Sequence, residues 1–195
     1  MEKTYCFFTV SWLYKIKIMK KICSVIAIAA LLFSAMNVSA QAGEDKSKRP
    51  SPPAKVTEKI KSGATITIDY SQPSVKGRTI GKDLEPMNGK VWRTGANEAT
   101  VFETDKAVKI NGQSLPAGKY GLFTIAGDQG EWTIIFNKTW KQWGAFKYSQ
   151  ADDQLRVNVK GGKSKSFAEK MTFFIDKDGM VSLLWGDHKV VFKVD

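Results

Sequence analysis

The chain has 195 residues, with 30 Lys and Arg against 19 Asp and Glu, one histidine and two cysteines, for a formal net charge of +11. One histidine, and cysteines only at Cys6 and Cys23, exclude a histidine-rich metal centre and thiolate chemistry in the body of the chain. The lysines are interspersed with Asp and Glu, so the excess charge favours acidic partners such as envelope polyanions or phosphorylated glycans, and no nucleic-acid partner is expected.

Met19-Lys20-Lys21 forms a basic start, residues 22–35 an apolar run, and Val38-Ser39-Ala40 supplies the small residues that a signal peptidase accepts. The expectation is a signal peptide cleaved after Ala40 and a periplasmic or secreted protein. The apolar run is too short to cross a bilayer comfortably, so no integral span is expected once the leader is removed. Residues 1–18 stand in front of that leader. The simplest reading starts translation at Met19, and the alternative is a long basic and aromatic n-region. Both cysteines fall in the removed segment, and Lys20-Lys21-Ile22 stands before Cys23 where a lipobox needs small and apolar residues, so neither a disulfide nor a lipid anchor is expected. The leader carries five lysines and one glutamate, which leaves 155 residues with a charge of +7. A domain of that length removes about two-thirds of its chain surface from water.

Residues 41–55 are polar and hold Pro50, Pro52 and Pro53 without apolar periodicity, the composition of a flexible tether. A single domain over 56–195 is expected to follow. After a short strand near 56–60 and a turn at Ser62-Gly63, residues 64–70 set Ile66, Ile68 and Tyr70 against Thr65, Thr67 and Asp69, the period of a half-buried strand. Residues 71–90 are rich in Pro, Gly and Lys and predict a long loop with at most one short element near 79–84.

Strands are predicted over 99–103 and 108–110, followed by Asn111-Gly112, a strong hairpin signal because a type I′ turn needs positive φ twice. Leu115-Pro116-Ala117-Gly118 turns the chain into strands over 119–125 and 131–137, joined at Asp128-Gln129-Gly130. An irregular segment over 138–150 carries Trp140, Trp143, Phe146 and Tyr148. Strands then resume over 155–160 and, past Gly161-Gly162-Lys163-Ser164, over 167–175, with Asp178-Gly179 and Gly186-Asp187 closing two last hairpins around 180–185 and 190–194. About nine short strands, frequent turns and no amphipathic helix predict an all-β fold, an antiparallel sandwich with two long irregular loops.

Several blocks resemble a known family: Pro50-Ser51-Pro52-Pro53-Ala54, Asp69-Tyr70-Ser71 with Pro73-Ser74-Val75-Lys76-Gly77-Arg78, Val91-Trp92-Arg93-Thr94-Gly95-Ala96-Asn97-Glu98-Ala99-Thr100, Leu115-Pro116-Ala117-Gly118 with Tyr120, Trp132 with Ile135-Phe136-Asn137-Lys138, and Trp143-Gly144. Together they are similar to the signature blocks of the domain-of-unknown-function family 2911, and the resemblance covers residues 49–195. It implies an exported bacterial protein with a leader and one β-rich domain. It brings no catalytic residues with it.

The chemistry concentrates in residues 91–100. There Arg93 could fork onto a carboxylate or sugar hydroxyl, with Trp92, Thr94 and Asn97 beside it as ligand-binding groups and Glu98 as a general acid or base. The alternative is that Arg93 and Glu98 pair with each other or cap backbone, pinning the 71–90 loop to the sandwich. Glycosidic hydrolysis needs a second carboxylate, for which Asp69 is the best partner of Glu98, with Asp83 and Glu85 as others. In the aromatic segment, Trp140, Trp143 and Tyr148 could stack sugar rings, or fold inward to close one end of the sandwich.

His188 stands alone in a turn, and Asp176-Lys177-Asp178-Gly179 opens like a calcium loop but puts Met180 and Val181 where an oxygen ligand and a glycine are needed. No metal site and no cofactor is expected. The leading expectation is a non-catalytic binding or envelope-associated module for a glycan or small anionic ligand. The alternatives are a periplasmic hydrolase using Glu98 with Asp69, and a purely structural or chaperone-like envelope protein with exposed strand edges.

Overall fold

A computed structural model describes residues 45–195, so the expected leader and the first residues of the tether lie outside the described residues. Eleven strands follow in chain order: β1 Pro53–Lys59, β2 Thr65–Ser71, β3 Val91–Trp92, β4 Val101–Thr104, β5 Val108–Ile110, β6 Gln113–Leu115, β7 Gly118–Ala126, β8 Glu131–Asn137, β9 Asp153–Lys160, β10 Gly162–Ile175 and β11 Met180–Lys193. All pairings between these strands are antiparallel. The fold is all-β, as the alternation predicts.

One layer is a sheet in the order β1-β2-β4-β7-β8-β9, with β3 added to β7. The other is built from the β10–β11 and β5–β6 hairpins. These join where Lys109 N–H donates to Asp195 C=O at 2.8 Å, Asp195 N–H donates back at 2.9 Å, and Ile110 bridges Val194. Ile66, Ile68, Phe102, Leu122 and Phe136 of the first layer share one buried core with Phe173, Leu183, Trp185 and Phe192 of the second. Ring pairs span the interface, Tyr70 on Phe173 at 5.1 Å and Phe136 on Phe192 at 5.9 Å. Burying each such side chain contributes roughly 1.5–3 kcal/mol.

The central strands are covered on both faces. In β7, Tyr120 and Leu122 point into the main core, while Phe123, with Ile135 and Ala99, builds a second small core on the outer face. Ala145 and Tyr148 of the 138–150 segment pack over it. Gly121 makes this close approach possible: a Cβ there would stand 2.6 Å from the Phe123 ring and 3.3 Å from Trp140 Cα.

Three features differ from the sequence expectation. Gly186-Asp187 does not close a hairpin but lies inside the continuous β11, where Gly186 adopts φ 58° and pairs with Ala168 between two register shifts of β10. A glycine followed by a polar residue supplies positive φ equally to a turn or to a bulge, and pairing across the sheet decides which. The β9–β10 connection is Gly161 alone, not a four-residue turn. Of the expected tether, residues from Lys46 onward make a short 3-10 turn, Lys46–Lys48, and lead directly into β1. β1 itself begins earlier than the strand expected near 56–60.

Candidate arginine cleft

The stretch 91–100 leaves β3, makes a compact turn and enters β4. Its geometry depends on two non-glycine residues in the left-handed region, Thr94 at φ 54° and Asn97 at φ 55°. A β-branched residue is a genuine outlier there, at a cost of order 1–2 kcal/mol. The turn is braced against that cost. Thr94 Oγ1 donates to Thr124 Oγ1 at 3.1 Å, Thr100 Oγ1 donates to Thr94 C=O at 2.8 Å, and the buried Trp92 indole donates to Gly95 C=O at 3.0 Å. Gly95 lies so close that a Cβ would fall 2.9 Å from Thr100 Oγ1. Strained backbone held by surrounding structure is a recurrent mark of functional sites.

Where this turn meets the 72–90 loop and β11, a cleft of about 290 Å³ opens, lined among others by Arg78, Glu85, Trp92, Arg93, Asn97 and Trp185. Arg93 is its chemical centre. The Nε of Arg93 is buried without a hydrogen-bond partner, and the guanidinium has no carboxylate within ion-pair distance among the described residues. Burial pushes the group below the ordinary arginine range, and the nearby Glu85 carboxylate opposes that shift. Arginine nevertheless stays protonated, so a partly desolvated charge sits there with its Nε unsatisfied.

The other lining groups are mostly committed to the fold. Trp185 Nε1 donates to Glu85 C=O at 2.8 Å, and Met87 N–H donates to Glu85 Oε2 at 2.7 Å. Arg78 donates from Nε to Val75 C=O and from Nη2 to Ser74 C=O. Asn97 Nδ2 donates to Ser51 C=O at 2.9 Å.

The sequence-predicted residues divide between this cleft and its surroundings. Trp92, Arg93 and Asn97 line the cleft. Thr94 is fully buried and braces the turn from behind. Arg93 and Glu98 do not pair. Glu98 faces a shallower recess of about 160 Å³ together with Asp69, Lys46 and Arg49. In that recess Lys46 Nζ and Arg49 Nη1 each donate to Glu98 at 2.8 Å, and Lys55 Nζ stands 3.1 Å from Asp69 Oδ1. Burial pushes the Glu98 carboxyl up, but the hydrogen bonds from Lys46, its own backbone N–H and Arg49 outweigh it and hold the group below its ordinary value. Both carboxylates that the hydrolase reading requires are therefore ion-paired.

The aromatic segment is zipped to the same turn, with Ala99 N–H donating to Gln142 C=O at 3.0 Å and Gly144 N–H to Asn97 C=O at 2.9 Å. Trp140, Trp143 and Tyr148 are placed differently from one another. Trp140 is half-buried beneath Lys119 Nζ, 5.7 Å from its ring. Trp143 is 53% exposed, with the Arg49 guanidinium 5.5 Å above it, and Phe146 beside it in sequence is 86% exposed. Tyr148 lies against Phe123 at 5.1 Å, its hydroxyl donating to Asp153 Oδ2 at 2.8 Å and accepting from Arg156 Nη2. Asn137 holds the segment from below: it is fully buried, donates to Ser149 C=O and Asp153 Oδ1, and accepts from Thr139 N–H.

A larger recess of about 380 Å³ runs along Glu131, Trp132, Thr133, Asn158 and Lys160. It holds no buried group without a partner, and Thr133 and Asn158 satisfy one another at 3.0 Å. Its chemistry is that of ordinary solvated surface. No group of three or more His, Cys, Asp or Glu side chains suited to a metal ion occurs among the described residues.

Sequence reasoning missed the roles of Arg78 and Trp185 in the cleft, and of Lys46 and Arg49 against Glu98. Arg78 had a local signal, closing a Pro-Ser-Val-Lys-Gly-Arg block. Trp185 had none, because its distance from Glu85 along the chain leaves no trace in spacing.

Fold and site together define a class: an antiparallel β-sandwich with an arginine-centred cleft where a long loop, a strained turn and a strand of the second layer meet. The chain belongs to the family DUF2911, described as a protein of unknown function, whose family model matches residues 51–194. No curated protein and no solved structure matches the chain.

Proposed function

We propose that the protein is an exported, non-catalytic binding module that holds a small anionic molecule, or the acidic end of a glycan, in the Arg93 cleft. The observation that carries this reading is the Arg93 guanidinium, buried at Nε and without an acceptor. A buried donor left unmade costs about 1–3 kcal/mol, more when charged. A carboxylate or phosphate in the cleft offers the Arg93 guanidinium a pair of acceptors in the planar geometry that arginine favours. The leader expected over 19–40 supports export.

The hydrolase reading is less well supported. A general acid needs a raised pKa, whereas Glu98 is held below its ordinary value and Asp69 is paired with Lys55. For an extended glycan, the half-exposed Trp143, on the segment tied to Asn97 through Gly144, offers ring surface outside the cleft lining.

A ¹⁵N NMR titration of residues 41–195 with acetate and with phosphate tests the proposal. The Arg93 Nε–H resonance and the amides of residues 93–97 are expected to shift saturably, and Arg93→Met is expected to abolish the response while Glu98→Gln leaves it intact. If neither anion moves these resonances up to tens of millimolar, the cleft is not an anion site.

A further inference from the structure

The composition of the cleft narrows the class of anion, on the premise that the Arg93 cleft is an anion site at all. Two guanidiniums, Arg78 and Arg93, share the lining with one carboxylate, Glu85, for a net charge of +1. A monoanion balances that charge. A zwitterion leaves the surplus in place and brings an ammonium towards two arginines, and a dianion overshoots it. At the short distances and reduced dielectric of a cleft these mismatches are not screened away.

Two of the remaining polar atoms call for hydrogen-bond donors. Asn97 spends one amide N–H on Ser51 C=O and keeps Oδ1 and a second N–H, and Glu85 spends Oε2 on Met87 N–H and keeps Oε1. Oδ1 and Oε1 are acceptors. The two indole nitrogens are spent on Gly95 and Glu85 carbonyls and both rings are almost fully buried, so the apolar surface open to a ligand is that of the half-buried Leu84 and Ala96. The lining therefore presents two guanidiniums with unspent N–H groups, acceptors at Glu85 Oε1 and Asn97 Oδ1, and apolar surface at Leu84 and Ala96, in a space of about 290 Å³ that lies at the small end for ligand sites.

We infer that the cleft takes a sugar acid of the uronic class. Its carboxylate sits on Arg93, its hydroxyls donate to Glu85 Oε1 and Asn97 Oδ1, and the C–H groups of its ring lie against Leu84 and Ala96. Simple carboxylates satisfy only the first of these groups, and neutral sugars only the rest.

Isothermal titration calorimetry of residues 41–195 with galacturonate, acetate, glucose and glycine at matched ionic strength tests this. Galacturonate is expected to bind at least tenfold more tightly than acetate or glucose, and glycine no better than acetate. Arg93→Lys, which keeps the charge but not the fork, is expected to lose at least fivefold for galacturonate. Glu85→Gln is expected to weaken galacturonate severalfold without weakening acetate. If acetate matches galacturonate, or glycine exceeds it, the sugar-acid inference falls while the anion site stands. If no carboxylate binds, both fall. A galacturonate trimer separates the two sources of this chemistry: tighter binding than the monomer assigns the end of an acidic polysaccharide, and equal binding assigns the free sugar acid.

Discussion

Arg93 and Glu98 stand on the same short turn, and their surroundings act on them in opposite ways. Glu98 is held by two cations at 2.8 Å, whereas Arg93 carries a buried N–H with nothing to accept it. Replacing Arg93 by Met is therefore expected to leave stability unchanged or raise it by up to about 1 kcal/mol in urea unfolding, since it removes an unsatisfied donor. A loss above about 2 kcal/mol would make Arg93 part of the scaffold. For Glu98 the sign follows from its lowered folded-state pKa. The stability it contributes is present above the unfolded value of about 4.3 and is lost as the pH falls through the folded value. Because its side chain is 38% exposed, solvent screening keeps that contribution below about 1 kcal/mol. Glu98→Gln should accordingly flatten the acid arm of the melting temperature against pH, and an unchanged arm would show the two ion pairs to be energetically silent. The density of chemical groups in residues 91–100 was legible in the sequence. Which of them stay unpaired was not, because the partners of Glu98 lie on a segment whose composition reads as a tether.

The 138–150 segment shows how a stretch without regular secondary structure is ordered by a few buried polar atoms. Asn137, fully buried at the end of β8, makes three hydrogen bonds to residues on both sides of the segment. Asn137→Ala strands those partners and is expected to cost about 2–4 kcal/mol, measured by urea unfolding. The Trp143 environment should loosen with it, visible as a red shift in tryptophan emission. A cost below 1 kcal/mol would mean that the Phe123, Ile135 and Tyr148 contacts hold the segment without it. Strands such as β2 were legible because alternation of Ile66, Ile68 and Tyr70 has one physical cause, a single buried face. The bulge at Gly186 was not, because it is defined by pairing with Ala168 across the sheet. β3 and β6 are too short for any period to register, and they account for strands beyond the nine expected.

At the level of the molecule, the two layers are closed by contacts between distant parts of the chain, and the N-terminal segment before β1 adds a separate set. Lys46 and Arg49 hold Glu98, Ser51 C=O accepts from Asn97, and Arg49 covers Trp143, yet none of these residues belongs to the core. A chain beginning at Pro53 retains the whole core. It is expected to unfold cooperatively with a melting temperature lower by a few degrees, and to exchange amide hydrogens faster at residues 97–99 and 142–144 than elsewhere. Uniform exchange would mean that this segment contributes nothing local. The sandwich class was legible from strand spacing. The layer pairing was not, because β5 meets the end of the chain after β11, where Lys109 pairs with Asp195 and Ile110 with Val194, far apart in sequence.

Glu85, Arg93 and Trp185 come from three separate stretches, the 72–90 loop, the turn after β3 and β11, that meet only when both layers are stacked, so whatever occupies their cleft binds the native state alone. Mass action then turns occupancy into thermal resistance. At one hundred times its dissociation constant a ligand adds about 2.7 kcal/mol, a rise of roughly 5–10 °C for a domain of this size. The melting curve of the unmodified protein is thus a selector that ranks compounds without any prior assumption about which one belongs there.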